Sequence, residues 1–254
     1  MVLSALGLVR RFGGMVAVDR MSLDLRAGEM LGVIGPNGAG KTTLFNLLAG
    51  SLVPHEGTVL LGGTAVEREA PEGRIARGLG RTHQIPKPFA DMTVLENMMA
   101  AGQRQRGEDF LTALFRPALV RAEERALHER AAELLDFLSL AHLAHEPGRV
   151  LSGGQRKLLE LGRVLMADPR VLLLDEPAAG VNPALLDFVM DRIEAINAGG
   201  VAVLLIEHNM ECVTRLCSRV IAMASGRLLA EGVPAAVLAD AAVGEAYLGD
   251  AAAA

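Results

Sequence analysis

The stretch that most constrains this chain is Gly35-Pro36-Asn37-Gly38-Ala39-Gly40-Lys41-Thr42-Thr43. It follows an apolar run, residues 30–34, that reads as a buried strand, and it leads into residues 43–49, which read as a helix. Strand, glycine loop and helix in that order fit the phosphate-binding pattern G-x-x-x-x-G-K-[ST] in the context it requires. The reason is electrostatic. Glycines at 35, 38 and 40 let the backbone curl so that successive N–H groups face anionic oxygens, and the helix adds the positive end of its dipole. Lys41 can reach the β- and γ-phosphates of a nucleotide, and the Thr42 hydroxyl can ligate Mg²⁺. The alternative is a glycine-rich turn that binds nothing; the Lys-Thr pair argues against it.

A chain of 254 residues, 51% apolar, can bury one large domain or one domain with an inserted lobe. Net charge is −5 and no block of Lys or Arg stands out, so a nucleic-acid partner is not expected. No apolar run approaches the roughly 18 residues of a membrane span, and residues 1–7 lack the charged and hydrophobic regions of a secretory signal. The two cysteines, Cys212 and Cys217, are expected to be small inert core residues rather than a metal pair. The chain is expected to be cytoplasmic and soluble when isolated, which leaves a membrane partner open.

Residues 1–34 hold β-type segments around 6–9, 16–25 and 30–34, with a turn at Arg11-Phe12-Gly13-Gly14. Phe12 invites two readings in a chain with only 3% aromatics: an exposed ring that stacks on a purine base, or an ordinary core residue. Residues 58–61 read as a strand ended by Gly62-Gly63, and 71–78 as a short helix with proline in its first turn. Gly80 to Gln84 runs into Pro86 and Pro88, so the chain becomes a loop at Gln84. Thr93-Val94-Leu95-Glu96 is a capping box opening a helix to residue 101. Residues 102–119 are irregular, and 120–138 form an amphipathic helix with Val120, Leu127, Ala131, Leu134, Leu135 and Leu138 on one face. From about 86 to 165 there is no strand candidate, the pattern of a helical lobe inserted into an α/β core formed by about 1–85 and 166–254. Continuous apolar runs at 170–175 and 201–206 are typical of parallel strands buried on both faces. Asn182-Pro183 caps a helix to about 197, residues 219–230 form a hairpin around Ser225-Gly226, and the tail from 234 is helical.

Asp175 and Glu176 end a buried strand, where ligands sit in open α/β sheets. Asp175 is placed to hold Mg²⁺, and Glu176 to orient and deprotonate a water for in-line attack. The competing reading is a pair of solvated loop acids. His208 follows the next buried strand; if that strand lies beside the 30–34 strand, its imidazole can reach the γ-phosphate and the attacking water. Gln84 can bind Mg²⁺ or water, or simply cap a turn. Leu151-Ser152-Gly153-Gly154-Gln155 opens a helix expected over 156–166, and is either a second anion site or a plain N-cap.

Leu151-Ser152-Gly153-Gly154-Gln155 resembles the ABC signature. Together with the phosphate loop and Asp175-Glu176 it identifies the chain, over about residues 3–250, as similar to the nucleotide-binding domain of ABC transporters. The resemblance implies an α/β fold: a P-loop NTPase core, its mixed sheet joined by an N-terminal antiparallel β part, with an inserted helical subdomain. It implies ATP and Mg²⁺ as cofactors. Nucleotide contacts would come from Phe12, Val18, Gly35, Pro36, Asn37, Gly38, Ala39, Gly40, Lys41, Thr42 and Thr43, and across a head-to-tail dimer from Ser152, Gly153, Gly154 and Gln155. Glu176, His208 and Gln84 would be catalytic, and Thr42, Gln84 and Asp175 would hold the metal. Phe12-Gly13-Gly14 before Ala17-Val18, Arg81-Thr82 before Gln84, the run Glu176 to Pro183, and Ala246-Tyr247-Leu248-Gly249 look more narrowly like the ATPase of branched-chain amino acid importers. That subfamily implies transmembrane permease subunits, a sibling ATPase or second copy, a periplasmic or extracellular solute-binding protein, and a place on the cytoplasmic face of the inner membrane. His83 stands where the subfamily usually has Phe and Asn209 where Asp is common, and Asn182 replaces the Asp frequent in ABC proteins at large, as the importer subfamily does.

Two other readings compete. An ABC ATPase acting on DNA would need a long coiled coil, and residues 44–150 hold no sustained heptads; a ribosomal one would carry two ATPase domains. The same kind of ATPase also serves urea importers and lipopolysaccharide exporters.

Overall fold

The computed structural model describes residues 1–83, 86–103, 105 and 115–251, and side chains up to residue 248. The chain divides into two compact units, one of residues 1–84, 169–179 and 186–254, the other of 85–168 with 180–185.

In the first unit, alternating apolar residues build an antiparallel sheet. Strand β1 (Leu3–Phe12) pairs with β2 (Met15–Leu25), and Met21, Leu23 and Leu25 point inward at period two. The turn is tighter than the sequence predicts. Phe12 pairs with Met15, so only Gly13-Gly14 connects the strands, with Gly13 at φ 57. On its other edge β1 pairs with β4 (Glu56–Leu61), which turns through Gly62-Gly63, both at positive φ, into β5 (Thr64–Ala65).

The second sheet has the order β10-β9-β3-β8-β7-β6. Strands β3 (Met30–Ile34), β6 (Leu79–Arg81), β7 (Val171–Asp175), β8 (Ala202–Ile206) and β9 (Arg219–Ala224) run parallel, and β10 (Arg227–Gly232) returns antiparallel. Every residue of β7 and β8 is buried, as their unbroken apolar runs require of strands covered on both faces. Helix α1 (Lys41–Ala49) buries Leu44, Phe45, Leu47 and Leu48 in the core that both sheets share. Its C-terminus is closed by the fully buried Arg74 of α2 (Pro71–Ala76), whose Nη1 donates to the Leu47 and Leu48 carbonyls at 2.7 and 2.6 Å. These are among the carbonyls a helix end leaves without partners.

The second unit is helical. Helix α3 (Val94–Met99) opens with the expected capping box between Thr93 and Glu96. Helix α4 (Pro117–Phe137) starts earlier than the hydrophobic stripe suggests, because Pro117 is suited to the first helical position. Ala131, Leu134 and Leu135 of α4 and Leu138 just beyond are buried, whereas Val120 and Leu127 are only partly so. Helix α5 (Gly153–Leu165) crosses this face at Gly162, where a Cβ would stand 2.8 Å from both Leu138 and Met98. The buried Asn97 donates to the carbonyls of Phe89 and Thr93 and accepts from the Phe89 N–H at 2.8 Å, which ties residues 89–93 to α3.

Helix α6 (Pro183–Ala198) follows Asn182, whose Oδ1 accepts from the Ala184 N–H. Helix α7 (Met210–Leu216) was not anticipated; seven residues give too few turns for a periodic signal. Its N-cap is Asn209, which accepts from the N–H groups of Glu211 and Cys212. The chain closes with α8 (Pro234–Leu238) and α9 (Ala241–Ala251).

Candidate functional site

The glycine loop leaves β3 at Gly35. Gly35, Gly38 and Gly40 have φ of 148, 74 and 98°, the region that disfavours side chains. Two of them also have no room for one: a Cβ on Gly35 would collide with the Met223 carbonyl, and one on Gly40 with the Ala17 carbonyl of β2. At Gly38 a Cβ would meet nothing, so there the positive φ alone favours glycine. Gly40 is the N-cap of α1 and provides no side-chain cap, and the first turn of α1 carries no acid. A helix start with neither a side-chain cap nor an acid fits an anionic group. The buried Lys41 folds back, its Nζ donating to the Gly35 and Pro36 carbonyls at 2.7 and 2.8 Å.

β8 lies directly between β3 and β7, in parallel register Val33↔Ile206 and Asp175↔Ile206. The condition the sequence left open for His208 is therefore met: its strand is the neighbour of the loop's strand. The acids follow on the other side. Asp175 is buried, and Arg81 reaches it with Nη2 at 3.3 Å while Nη1 donates to Asn46 of α1 at 2.7 Å. Burial dominates and pushes the Asp175 carboxyl above its usual range, against the pull of Arg81. Glu176 continues the ladder, donating its N–H to the Ile206 carbonyl at 3.0 Å, and then turns at φ 49°. A non-glycine residue there carries backbone strain of about 1–3 kcal/mol. The turn sends its carboxylate toward His208, where Oε1 stands 3.3 Å from Nε2.

Sequence reasoning missed Glu207. It is 2% exposed, and its carboxylate accepts three backbone N–H groups: Ala178 on Oε1 at 2.6 Å, His208 and Asn209 on Oε2 at 3.1 and 3.3 Å. One buried acid thus joins the segment after Glu176 to the segment that carries His208. The signal was present: an acid at the end of a fully apolar strand, the pattern that singled out Asp175. Arg81, read only as a subfamily marker, is a second such residue.

Phe12 is 42% exposed at the tip of the β1–β2 hairpin with the Arg10 guanidinium 5.0 Å above its ring, so the core reading does not hold. Val18 is buried in β2 beside Ala17, which closes on Gly40. Gln84 lies outside the described residues. Among those described, no three His, Cys, Asp or Glu side chains gather as a metal site. Thr42 and Asp175 are oxygen donors of the kind an ion such as Mg²⁺ takes, with one or two from the protein and the rest of the shell from phosphate and water.

In the helical unit Ser152 is the N-cap of α5. Its Oγ accepts from the Gln155 N–H at 3.3 Å, and Gln155 Oε1 accepts from the Ser152 N–H at 2.9 Å. The plain N-cap reading is therefore realised in this structure. Gly154 answers to packing, because a Cβ there would run into Leu185.

Together these features, parallel strands ending in a phosphate-type loop and two acids, define the fold class of the P-loop ATPases. The family model described as ABC transporter matches residues 18–179, and the chain belongs to that family, as an ATP-hydrolysing, energy-coupling subunit of a transporter. A second model, described as branched-chain amino acid ATP-binding cassette transporter, matches residues 227–253. The chain is 38% identical to the high-affinity branched-chain amino acid transport ATP-binding protein BraF of Pseudomonas aeruginosa, and 39% to its counterpart LivG of Escherichia coli K12, over 98% of each chain. A crystal structure of an ABC transporter cassette in its ADP conformation superposes with a TM-score of 0.84 at 36% identity over 98% of both chains. A nucleotide-free cassette superposes equally well, with a TM-score of 0.84. Among the described residues no helix is long and apolar enough to cross a membrane.

Proposed function

We propose that this chain hydrolyses Mg-ATP to drive an importer of branched-chain or other hydrophobic amino acids. The observation that carries the reading is the order β3-β8-β7, which brings the phosphate-type loop, His208 and the Asp175-Glu176 pair to the same ends of three adjacent strands. The nearly full-length likeness to branched-chain amino acid transport ATP-binding proteins supports the substrate class.

In this reading the 254 residues form one nucleotide-binding domain whose helical lobe carries Ser152 to Gln155. The N–H groups of the loop from Gly35 to Thr43 enclose the phosphates, and Lys41 leaves its carbonyls for the β- and γ-phosphates. Phe12 stacks on the base and Val18 lines its edge. Mg²⁺ is held by Thr42 and Asp175, with Gln84 as a further ligand. Glu176 accepts a proton from the attacking water, and His208 holds that carboxylate and the water in line with the γ-phosphate. Ser152, Gly153, Gly154 and Gln155 close over the nucleotide of a second copy or sibling ATPase, arranged head to tail. Closure of that dimer moves permease subunits, fed by a solute-binding protein outside, so the working place is the cytoplasmic face of the inner membrane.

The test is copurification with the permease, followed by ATP turnover in vesicles against a panel of solutes. Leucine, isoleucine or valine, presented by the binding protein, is expected to stimulate turnover, and Lys41→Ala to remove it. Stimulation by urea alone would overturn the substrate class. Absence of Mg-ATP uptake by the folded chain in calorimetry would overturn the nucleotide site.

A further inference from the structure

Tyr247 belongs to the stretch Ala246-Tyr247-Leu248-Gly249 on α9, which the site described so far does not use. It is 212 residues from Gly35, yet its phenolic oxygen accepts the Gly35 N–H at 2.8 Å. Gly35 is the first residue past the last ladder pair of β3, Ile34↔Ala222. A peptide N–H leaving a sheet has lost its strand partners and must find another; here a tyrosine from the far end of the chain provides it. The opposite polar group of Gly35, its carbonyl, receives Lys41 Nζ at 2.7 Å. The residue is therefore held from two sides, by the C-terminal helix and by the loop's own lysine.

The two holds differ in one respect. Under the function proposed above, Lys41 must release the Gly35 and Pro36 carbonyls to meet phosphate, and at that moment Gly35 loses one of them. The Gly35 N–H is the first of the loop and is already taken by the Tyr247 oxygen, so Tyr247 can keep its grip while the remaining N–H groups turn to the ligand. Half-burial of the ring pushes the phenol above its ordinary range and keeps the hydroxyl neutral.

We propose that Tyr247 is a positioning residue for nucleotide binding, anchoring the first glycine of the phosphate loop so that the cradle keeps its shape when Lys41 swings to the phosphates. This inference rests on the nucleotide site proposed above. It gives the C-terminal segment a role in ATP affinity rather than in the chemical step.

The test is Tyr247→Phe in the full chain, which deletes one oxygen and keeps the ring. One net hydrogen bond corresponds to about a three- to tenfold change in an equilibrium constant. The expected result is Mg-ATP affinity weaker by about that factor in calorimetry, KM raised in parallel, kcat of the assembled transporter within about twofold of the original, and faster amide exchange at Gly35. A lower melting temperature with unchanged affinity, KM and Gly35 exchange would mean that the hydroxyl only fastens the helix, and the proposal would fall. If at the same time Lys41→Ala lost Mg-ATP binding, the nucleotide site itself would stand.

A second measurement needs no substitution. The chain has one tyrosine and no tryptophan, so its tyrosine emission belongs to Tyr247 alone. That emission is expected to stay constant through a Mg-ATP titration past the calorimetric midpoint, because the Tyr247–Gly35 hydrogen bond is kept when Lys41 moves. Emission that changes with that midpoint would show the grip released on binding and would overturn the proposal even if the phenylalanine variant failed to fold.

Discussion

The Nε2 of His208 stands 3.3 Å from Oε1 of Glu176, although 32 residues separate them (208 − 176). The contact arises because β7 and β8 are parallel neighbours, with Glu176 one residue past the end of β7 and His208 two past the end of β8. Glu176→Gln keeps the size of the side chain and removes its basicity. ATP turnover is expected to fall by about 10²–10⁴, while calorimetric Mg-ATP affinity is retained. His208→Ala should show the same split between turnover and affinity. Loss of binding in either variant would contradict the assignment.

Glu207 reaches its effect through the backbone. Glu207→Gln replaces a carboxylate accepting three N–H groups with an amide that can oppose at most one side of them. The expected outcome is about a tenfold lower kcat with KM unchanged, because the Glu176–His208 alignment is disturbed and the phosphate loop is not. Glu207→Ala should in addition cost about 1–3 kcal/mol in urea unfolding, since buried donors lose their acceptor.

The signature glycine is a test of packing against chemistry. Gly154→Ala puts a methyl group where Leu185 already sits, and overpacking of this kind costs about 1–3 kcal/mol. Leu185→Ala in the same chain vacates that space, so the pair is expected to recover most of the stability lost. A double-mutant cycle in chemical denaturation measures this. Additive losses would show that Leu185 is not the constraint.

Both thiols are buried, and burial first, with the Glu207 carboxylate second, pushes Cys212 up to about 11 and Cys217 up to about 12. The folded state thus favours the neutral thiol. Its contribution to stability is fully present below the ordinary value of 9.0 and is lost as pH rises from there through 11 and 12. Tyr247, also raised, acts with the same sign. The melting temperature should decline across this alkaline window, and Cys217→Ala should flatten the decline. The same burial predicts slow labelling of the native thiols by aromatic disulfides and fast labelling in denaturant.

Much of the chain was legible from its residues, because the signals were local. Buried parallel strands announce themselves as continuous apolar runs, and β7 and β8 lie within one residue of the expected bounds. The Gly35-to-Thr43 loop, the Thr93 capping box and the hairpin around Ser225-Gly226 follow from steric and hydrogen-bonding rules that operate over a few residues. Short or edge features escaped. Helix α7 is too brief to show a period, α4 begins at a proline before its apolar stripe does, and the first hairpin turn shrank to two glycines.

The residues by themselves determined the phosphate-type loop, the acids at the strand end and the membership in the ABC family, since each depends on residue type and close spacing. Only the tertiary structure decided the strand order that puts His208 against Glu176, the burial of Glu207 beneath both loops, and the grip of Tyr247 on Gly35. Those relations join residues that are distant along the chain. They exist because hydrogen-bonded strands and close packing set distances that no local pattern encodes.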